Sequence, residues 1–498
     1  MKYVLNAQQM RMADHAAIRK IGIPSMVLME RAAWAVAVEA KKLLEASGEY
    51  ADASHFILAV CGSGNNGGDG FATARILREM GYPAEAVFVG NPEHMTQECA
   101  AQREIFLRTG GRVISGGEAG DFSGADLIID AIFGIGLSRD VEGAYAGIIR
   151  RINEAPAAVI SADIPSGISS DTGAVKGIAV KADVTVSFAA LKYGHLLYPG
   201  ADYCGKVVTA PIGIPIKDQD AAFCPEAGDI AAMLPERPAH SNKGTFGKTL
   251  LISGREGMAG AAVLAGEAAY RTGTGIVTVC SAAANRIPIQ TRLPEAIFTP
   301  WEKRESLIGA LGGCSSAVLG PGLGTDADAQ EILQMVFGTC TKPLVADADA
   351  LNVIAANGVP EHACALIITP HPGEMARLTG CSVKEICADP VGYAASYARE
   401  NQLICVLKDA VTVITDGKSI SLCHTGCSGM ATGGSGDVLA GMVGSLLAQG
   451  MPPFEAAVAG VWLHGCAGTK AAKTLGESGM LSSDIIRAIP QVLRELYR

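Results

Sequence analysis

Aromatic residues and blocks of like charge are scarce in this sequence. Aromatics make up 5% of its 498 residues, whereas hydrophobic residues make up 49% and glycines number 60. This composition is typical of α/β layers joined by tight glycine turns. The net charge is −10 and no cluster of lysines and arginines occurs, which argues against a nucleic-acid-binding surface. The length predicts two large domains or three small ones.

No two cysteines form a CxxC motif, although the sequence contains 14 cysteines. The first 25 residues carry several charges and no continuous apolar stretch, so we expect no secretory signal. Scattered cysteines in such a chain predict reduced thiols and a cytoplasmic location. The uncharged run 438–454 is interrupted by Gly441, Gly444, Pro452 and Pro453. Its helical part is shorter than the roughly 20 residues of a bilayer span, so we expect no membrane association.

The first half begins with helical patterns and then alternates strands and helices. Asn6 is placed to cap the first helix. A short apolar strand is predicted over 55–60, followed by a glycine-rich loop at 61–70. A helix over 71–80 and a second strand over 84–89 complete a βαβ unit.

The glycine-rich loop matches a dinucleotide-binding fingerprint only weakly. Gly62, Gly64 and Gly67 satisfy GxGxxG, and Glu85 lies near the distance at which a Rossmann fold holds its ribose-binding acid. A plain dinucleotide loop does not need the amides and the carboxylate that it also contains. Such clustered oxygens suit a hydroxylated ligand or a cation. These side chains are Asn65, Asn66 and Asp69.

Two further predicted strands, over 125–130 and 157–162, deliver acids at their ends. Asp130 ends the first, and Asp163 follows the second, with Ser166 three residues later. In a doubly wound sheet the carboxyl ends of successive strands meet in one crevice, where ligands bind. These side chains and Asn66 are therefore expected to face one another. The alternative is that Asp163 and Ser166 only cap the turn around a proline.

Four motifs of the first half resemble the NAD(P)H-hydrate epimerase family. They are LMERA (28–32), GNNGGDG (64–70), DAIFGIGL (130–137) and DIPSGI (163–168). The resemblance implies a Rossmann-like fold and an activity that interconverts the two C6 epimers of hydrated NADH or NADPH (NADHX or NADPHX). Because C6 carries a hydroxyl beside a ring nitrogen, departure and return of that oxygen requires an acid–base group.

The same resemblance implies site residues. Asp163 would be catalytic, contacting the substrate near the reacting carbon. A potassium ion would be ligated by Asn66, Asp130 and Ser166. The hydrated nucleotide would be bound by Asn65, Asn66, Gly67, Gly68, Asp69, Gly134, Ile135, Gly136, Leu137, Ser138, Arg139, Asp140 and Asp163.

A segment with five prolines, 210–239, separates the two halves and has the composition of a linker. One short helix is expected within it, at 228–234. Beyond it, polar groups again follow apolar strands. His371 stands between two prolines and either contacts a ligand or only bonds the backbone. Lys408 closes the apolar run Leu403–Leu407, where a lysine is expected to pair with an anion.

The hexapeptide TGGSGD at 432–437 is the most informative stretch of the second half. Its glycines allow backbone amides to approach phosphate closely, and the apolar run that follows predicts a helix whose N-terminus favours an anion. Asp437 would then be the carboxylate that accepts a proton. The alternative is a glycine-rich turn in which Asp437 is a helix N-cap.

Six motifs of the second half resemble the ADP- or ATP-dependent NAD(P)H-hydrate dehydratase family, which implies a ribokinase-like fold. They are SNKGTFGK (241–248), GPGLG (320–324), DADALN (347–352), TPHPGE (369–374), KDAVT (408–412) and TGGSGD (432–437). The hydrated substrate would contact Ala261, Gly322, His371 and Asp437. The ADP or ATP would contact Lys408, Asp409, Ala410, Val411, Thr412 and Gly436.

The chemistry of such a dehydratase suits these residue types. Hydroxide is a poor leaving group, and phosphorylation of the C6 hydroxyl makes it a good one. Asp437 would deprotonate the hydroxyl as it attacks the terminal phosphoryl group. The amides of Gly434–Gly436, with Mg²⁺, would stabilise the developing charge, and loss of phosphate restores the nicotinamide double bond.

The sequence thus predicts an α/β protein of two domains, an N-terminal Rossmann-like doubly wound α/β/α sandwich and a C-terminal ribokinase-like α/β domain. The boundaries are 1–217 for the epimerase domain, 218–238 for the linker and 239–498 for the dehydratase domain. We expect a bifunctional isomerase and lyase that acts on NADHX and NADPHX, uses ADP or ATP, K⁺ and Mg²⁺, and forms a homo-oligomer.

Two alternatives stay open at this point. One is a ribokinase-type kinase of a small molecule fused to a nucleotide-binding domain, which would release a stable phosphorylated product. The other is a non-catalytic dinucleotide sensor. Several acids at strand ends argue against the sensor, because they gain nothing from an anionic ligand unless a metal ion or proton transfer is involved.

Overall fold

The computed structural model describes residues 1–46, 55–216 and 221–497. The chain divides into two compact units, of which one spans Lys2–Ala221 and the other begins at Ala222 and includes Met1. The domain boundary expected between residues 217 and 218 lies outside the described residues.

Part of the segment 218–238, expected to be a linker, is folded into the second unit. Ala222–Cys224 is a strand that pairs with the strand Ile420–Cys423. A helix follows at Ala227–Met233, close to the expected 228–234, and its Ile230 is fully buried. The prolines that indicated a linker flank this strand and helix and do not interrupt them, which is why composition alone did not reveal the two elements.

The first unit contains a parallel, doubly wound sheet. The strands of the unit are β1 (Lys2–Leu5), β2 (Ile57–Cys61), β3 (Ala84–Phe88), β4 (Val113–Ser115), β5 (Leu127–Ala131), β6 (Ala158–Ala162), β7 (Val184–Phe188), β8 (Leu191–Lys192) and β9 (Lys206–Ala210). Its helices are α1 (Ala7–Ala16), α2 (Ser25–Ala46), α3 (Asn65–Glu79), α4 (Gln97–Arg108), α5 (Gly143–Glu154) and α6 (Ala201–Cys204).

Seven of these strands form one sheet in the order β4-β3-β2-β5-β6-β7-β9, and the short β1 pairs with β8. Apolar clusters lie on both faces of the sheet, one under α2, α3 and α4 and the other under α5. The strand order reverses between β2 and β5, so the carboxyl ends of these two strands open a crevice. Asn66 follows β2, Asp130 lies near the carboxyl end of β5, and Asp163 follows the neighbouring β6.

Local features of the sequence determine where helices α1 and α3 begin. Asn6 caps α1 in a reciprocal pair with Gln9. The helix expected over 71–80 begins earlier, at Asn65, so the asparagines of the glycine-rich segment lie in its first turn and not in a loop. This early start depends on Gly67, because a Cβ at this residue would lie 1.9 Å from the carbonyl oxygen of Gly62. Only glycine allows the helix to approach the strand end so closely.

The second unit is built on a longer, mixed sheet. Its strands are β10 (Ala222–Cys224), β11 (Lys248–Ile252), β12 (Ile276–Ser281), β13 (Ile297–Pro300), β14 (Ser316–Leu319), β15 (Leu344–Ala346), β16 (Leu366–Ile368), β17 (Ile404–Leu407), β18 (Thr412–Thr415) and β19 (Ile420–Cys423). Its helices are α7 (Ala227–Met233), α8 (Ala259–Thr272), α9 (Arg286–Arg292), α10 (Arg304–Gly313), α11 (Ala327–Thr339), α12 (Asp349–Asn357), α13 (Pro372–Thr379), α14 (Val383–Ala388), α15 (Pro390–Glu400), α16 (Ser435–Ala448), α17 (Pro453–Leu475) and α18 (Ser482–Leu496).

These strands run in the order β13-β12-β11-β14-β15-β16-β17-β18-β19-β10. The pairs from β13 to β17 are parallel, whereas β18 is antiparallel to both of its neighbours. Helix α16 crosses α8 closely, because Gly441 lies where a Cβ would be 2.1 Å from the carbonyl oxygen of Ala265. The parallel strands, α8 and α16 form the frame of the second site.

Candidate active sites

A cavity of about 590 Å³ opens at the crevice of the first unit. It is lined by the start of α3, by the loop after β5 and by Asp163, which follows β6. Most of the predicted nucleotide-binding residues line it: Asn65, Asn66, Asp69, Gly134, Ile135, Gly136, Leu137, Ser138, Arg139 and Asp163. Three others do not line it, namely Gly67, Gly68 and Asp140. Gly67 and Gly68 are buried within α3, and Asp140 is exposed.

Asp163 is held firmly at the wall of this cavity. Its backbone lies in the left-handed region, with φ of 68°, which is strained for a residue other than glycine. Its Oδ1 atom accepts hydrogen bonds from Lys192 Nζ at 2.5 Å and from the backbone N–H of Phe188 at 3.1 Å. The backbone carbonyl of Asp163 lies 2.8 Å from His195 Nε2. Burial lowers the pKa of His195 to about 4, and the charge of Lys192 adds to this effect.

Of the residues expected to hold potassium, Asp130 and Ser166 are joined by hydrogen bonds, and Asn66 lines the cavity. Asp130 lies in β5 and is fully buried. Its carboxylate accepts hydrogen bonds from Ser166 Oγ at 2.5 Å, from the backbone N–H of Ser166 at 2.8 Å and from Ser161 Oγ at 2.8 Å. Burial raises the pKa of Asp130 although these hydrogen bonds oppose the shift. Asn66 Nδ2 is buried without a hydrogen-bond partner among the described residues.

Asp69 and Asp130 are acids of the first site whose pKa is raised by burial. The pKa of Asp69, which lines the cavity, is raised well above its usual value by burial and by repulsion from Asp163. Oxygen ligands of the kind that Asp130, Ser166 and an asparagine amide supply suit a potassium ion. A cation would also relieve the cost of the buried carboxylate. The residues present fit such an ion.

In the second unit the hexapeptide TGGSGD forms the N-terminus of α16, as predicted. Gly434 is the N-cap with φ of 88°, and Asp437 lies in the first turn. Burial raises the pKa of Asp437 to about 7, repulsion by Asp347 adds to the shift, and the charge of Lys408 opposes it. A carboxylate with a pKa near neutrality is suited to accept a proton from a hydroxyl. The N-cap alternative does not apply to Asp437, since Gly434 occupies that position.

Lys408 pairs with an anion, as expected for a lysine at a buried strand end, and this anion is Asp347. Their Nζ and Oδ1 atoms are 2.8 Å apart. Burial alone would lower the pKa of Lys408, but Asp347 and Glu374 raise it above its usual value. The pair lies directly against the TGGSGD segment at 432–437, hereafter the anion loop. A Cβ on Gly436 would be 3.4 Å from Lys408 Nζ and 3.5 Å from Asp347 Oδ2.

The other residues expected to bind nucleotide lie in the turn between β17 and β18. Asp409 Oδ1 accepts a hydrogen bond from the backbone N–H of Ala410 at 2.8 Å, and both residues are exposed. Val411 and Thr412 are buried, and Thr412 begins β18. Of this group, the structure brings Lys408 next to Gly436.

Gly322, Ala261 and His371 follow strands or open helices of the same unit. A Cβ on Gly322 would lie 3.1 Å from the Cβ of Ala261, so these two residues are neighbours. His371 is the N-cap of α13, and its Nδ1 accepts a hydrogen bond from the backbone N–H of Gly373 at 3.0 Å. The backbone bond that was the alternative for His371 is therefore present in the structure. Its side chain is 53% exposed, which leaves the ring accessible.

Several residues at the two sites were not assigned a role from the sequence. In the first unit these are Lys192 and His195. Lys192 directly follows the apolar run 188–191, and this position was the signal that could have identified it. In the second unit Asp347, the first residue of the DADALN motif, directly follows β15. His464, far along the chain on α17, lies with Nε2 3.3 Å from Ser435 Oγ of the anion loop. Its burial and the charge of Lys408 lower its pKa to about 4.

Fold and sites together define a two-domain α/β enzyme, Rossmann-like in its first unit and ribokinase-like in its second. A family described as YjeF-related protein N-terminus matches residues 25–194, and a family described as NAD(P)H-hydrate dehydratase matches residues 249–491. The chain is 36% identical to the bifunctional NAD(P)H-hydrate repair enzyme Nnr of Moorella thermoacetica, with 99% of this chain and 97% of the relative covered.

A second relative and two solved structures agree with this assignment. The enzyme of the same name from Escherichia coli K12 is 35% identical, with 98% of this chain and 93% of the relative covered. The ADP/ATP-dependent NAD(P)H-hydrate dehydratase of Bacillus subtilis, crystallised with ATP and Mg²⁺, is 32% identical with a TM-score of 0.50, covering 54% of this chain and 97% of its own. A ribokinase-like protein of Enterococcus faecalis gives 28% identity and a TM-score of 0.52, covering 57% of this chain and 98% of its own.

The chain belongs to the family of bifunctional NAD(P)H-hydrate repair enzymes. The predicted family, the two-domain α/β fold and the assignment to nicotinamide nucleotide repair are thereby confirmed. No helix in the described parts of the chain is long and apolar enough to cross a membrane.

Proposed function

We propose that the first unit interconverts the 6R and 6S epimers of NADHX and NADPHX, and that the second dehydrates the 6S epimer with ADP or ATP. Family membership supports the pair of activities. The observation that carries the dehydratase assignment is Asp437, whose pKa is raised to about 7 at the N-terminus of α16. The two activities are complementary, because a stereospecific dehydratase repairs one epimer and the epimerase converts the other.

In the second unit Asp437 removes the proton from the C6 hydroxyl of the substrate as that oxygen attacks the terminal phosphoryl group. The backbone N–H groups of Gly434–Gly436 face the developing negative charge, with the nucleotide bound as its Mg²⁺ complex. The phosphorylated intermediate then loses phosphate, and the nicotinamide double bond returns. Lys408, beside Gly436, contributes a positive charge close to the phosphates.

The remaining residues of the second site bind the two substrates. ADP or ATP contacts the residues around the β17–β18 turn and the anion loop, which are Lys408, Asp409, Ala410, Val411, Thr412 and Gly436. The hydrated nicotinamide nucleotide contacts Ala261, Gly322, His371 and Asp437. Gly322 and Ala261 are neighbours, and the exposed ring of His371 is free to meet a ligand.

In the first unit Asp163 exchanges a proton with the C6 hydroxyl as the oxygen leaves and returns on the other face of the ring. Its position at the wall of the 590 Å³ cavity supports this role. The start of α3 and the loop after β5 contact the hydrated nucleotide. Asn66, Asp130 and Ser166 would hold a potassium ion, which supplies positive charge beside the buried Asp130.

We further propose that the enzyme acts in the cytoplasm as a homo-oligomer. All 14 cysteines are free thiols, which suits a reducing compartment. Alanine-rich helices such as α2 carry exposed apolar side chains, among them Trp34 and Val27, which suit contacts between subunits. Sedimentation velocity of the purified chain tests the assembly, and a single species of monomer mass would refute it.

The deciding experiment follows absorbance at 340 nm while a mixture of both NADHX epimers is incubated with the enzyme, Mg²⁺, K⁺ and either ADP or ATP. We expect complete recovery of NADH with stoichiometric release of phosphate. Recovery that stops at the share of one epimer would refute the epimerase. A stable phosphorylated product without NADH would favour a ribokinase-type kinase.

A further inference from the structure

We propose that Lys192 and His195 are positioning residues of the epimerase site, and that they orient Asp163 so that Oδ2 alone faces the substrate. The proposal rests on the proposed epimerase function of the first unit. It is carried by a closed set of hydrogen bonds among the three residues, all of which are buried.

Lys192 is among the residues that line the cavity, but all three N–H donors of its ammonium group are directed to protein oxygen atoms. Its side chain is fully buried, and its Nζ contacts three oxygen atoms. These are Asp163 Oδ1 at 2.5 Å, the carbonyl oxygen of Phe188 at 2.9 Å and Ser187 Oγ at 3.2 Å. An ammonium group has three protons, so each contact uses one of them. Lys192 therefore acts through Asp163 and not on the substrate directly.

His195 completes the set through its ring. The backbone N–H of Lys192 donates to His195 Nδ1 at 3.0 Å, so Nδ1 carries no proton. The proton of the neutral ring is then on Nε2, which donates to the backbone carbonyl of Asp163 at 2.8 Å. This hydrogen bond fixes the peptide of Asp163, a residue whose φ of 68° is unfavourable without such support.

The two carboxylate oxygens of Asp163 consequently differ. Oδ1 accepts from Lys192 and from the backbone N–H of Phe188. No hydrogen bond to Oδ2 occurs within the described part of the chain, and the residue lines the cavity. A carboxylate with one anchored oxygen and one free oxygen can exchange a proton at a single defined place. The positive charge of Lys192 also keeps this carboxylate from being an isolated buried charge.

The first test replaces Lys192 by Met in the full-length chain and follows epimer interconversion by chromatography without nucleotide. We expect kcat to fall on the order of 100-fold with KM within about twofold, because the substrate contacts remain and the base is misplaced. The exposed Lys206 on β9 provides the matched control Lys206→Met, which should retain wild-type kinetics. An unchanged kcat in Lys192→Met would overturn the proposal.

The second test separates positioning from direct catalysis and from misfolding. If Lys192 acts only through Asp163, the double variant Lys192→Met with Asp163→Asn should be no slower than Asp163→Asn alone. A double variant slower by tenfold or more would show that Lys192 acts on the substrate itself, contrary to the proposal. Dehydratase turnover of pure 6S-NADHX by each variant reports the concentration of active chains.

The third test restores the missing ammonium group. Lys192→Ala leaves a space beside Asp163. Added ethylamine should increase the epimerase rate of this variant at least tenfold, whereas ethanol should not. Equal recovery with both compounds, or with neither, would contradict a role for the charge. Failure of the wild-type chain to interconvert the epimers would instead refute the proposed function, so the two failures are distinguishable.

Discussion

At the scale of single residues, the second site is organised by unequal carboxylates. Asp347 is paired with Lys408 at 2.8 Å, whereas Asp437 has no hydrogen-bonded cation of its own among the described residues and its pKa rises to about 7. Neighbouring acids with such different environments divide the roles of charge carrier and proton acceptor. Only Asp437 is suited to the second role.

The variant Asp437→Asn should lose dehydratase activity on the order of 1,000-fold or more, because an amide cannot accept the proton of the C6 hydroxyl. Binding of ADP or ATP should persist, since the anion loop is unchanged. Measurement of kcat together with nucleotide titration by calorimetry checks both statements. Turnover within tenfold of wild type would contradict the role of Asp437 as the base.

The pH dependence of dehydration should follow the same carboxylate. Asp437 accepts a proton only when ionised, so the rate should fall as the pH drops below about 7. Repulsion by Asp347 contributes to the raised pKa, so Asp347→Asn should move the half-maximal rate to lower pH. Rates measured from pH 5 to pH 9 with pure 6S-NADHX test the shift. A movement to higher pH would be inconsistent with this assignment.

Asp130 should determine the potassium dependence of the first site. Replacing K⁺ by tetramethylammonium should slow epimerisation by the wild-type chain, because the buried carboxylate then lacks its cation. Asp130→Asn should make the rate insensitive to this exchange, since the amide carries no charge. Initial rates at fixed ionic strength provide the measurement. An equal K⁺ response in both proteins would refute the assignment.

At the scale of elements, the sequence predicted those whose apolar runs are long and whose ends carry turn residues. Strands β2, β3, β5 and β6 were placed within about two residues of their observed limits. Short or exposed elements were missed, such as β1 and β10, because three or four residues have too little pattern to distinguish them from loops. The start of α3 was also missed, since asparagine and glycine have low helix propensity and tertiary contact decided the outcome.

The site residues show the same division. Side chains that directly follow predicted strands, such as Asp163 and Lys408, could be singled out from the sequence. Partners that are distant in the chain could not be assigned from the sequence. Asp347 lies 61 residues before its partner Lys408, and His464 lies 29 residues after its partner Ser435. Such pairings follow from strand order and helix crossing, which composition and periodicity do not determine.

The close contact between the end of β2 and the start of α3 predicts how substitutions of glycine there change stability. Gly67→Ala should lower the free energy of unfolding by about 2–3 kcal/mol, because the new methyl group would overlap the carbonyl oxygen of Gly62. Gly64→Ala is the matched control, since no heavy atom lies within 4 Å of the added Cβ. Calorimetric unfolding of the full chain should distinguish the two. Equal stability of both variants would contradict the close approach at Gly67.

At the scale of the whole molecule, the two family matches fall in different units, and we propose that each unit carries out one reaction by itself. Asp163→Asn should therefore leave NADH recovery at the share of the 6S epimer, whereas Asp437→Asn should interconvert epimers without producing NADH. A mixture of the two variants should recover all of the NADH, because the substrate diffuses from one chain to another. Absorbance at 340 nm gives the yields, and an incomplete yield from the mixture would show that both sites must work in the same chain.

The division of the chain into two units near residue 221 has a consequence for the amounts in which the two activities are produced. The Bacillus subtilis dehydratase aligns over 97% of its own length with 54% of this chain, so a counterpart of the second unit exists as a protein in its own right. The named dehydratase activity is thus carried there by a chain that covers only about half of this one. Fusion fixes the dosage of the two activities, because every round of translation delivers one epimerase and one dehydratase regardless of how strongly the gene is expressed.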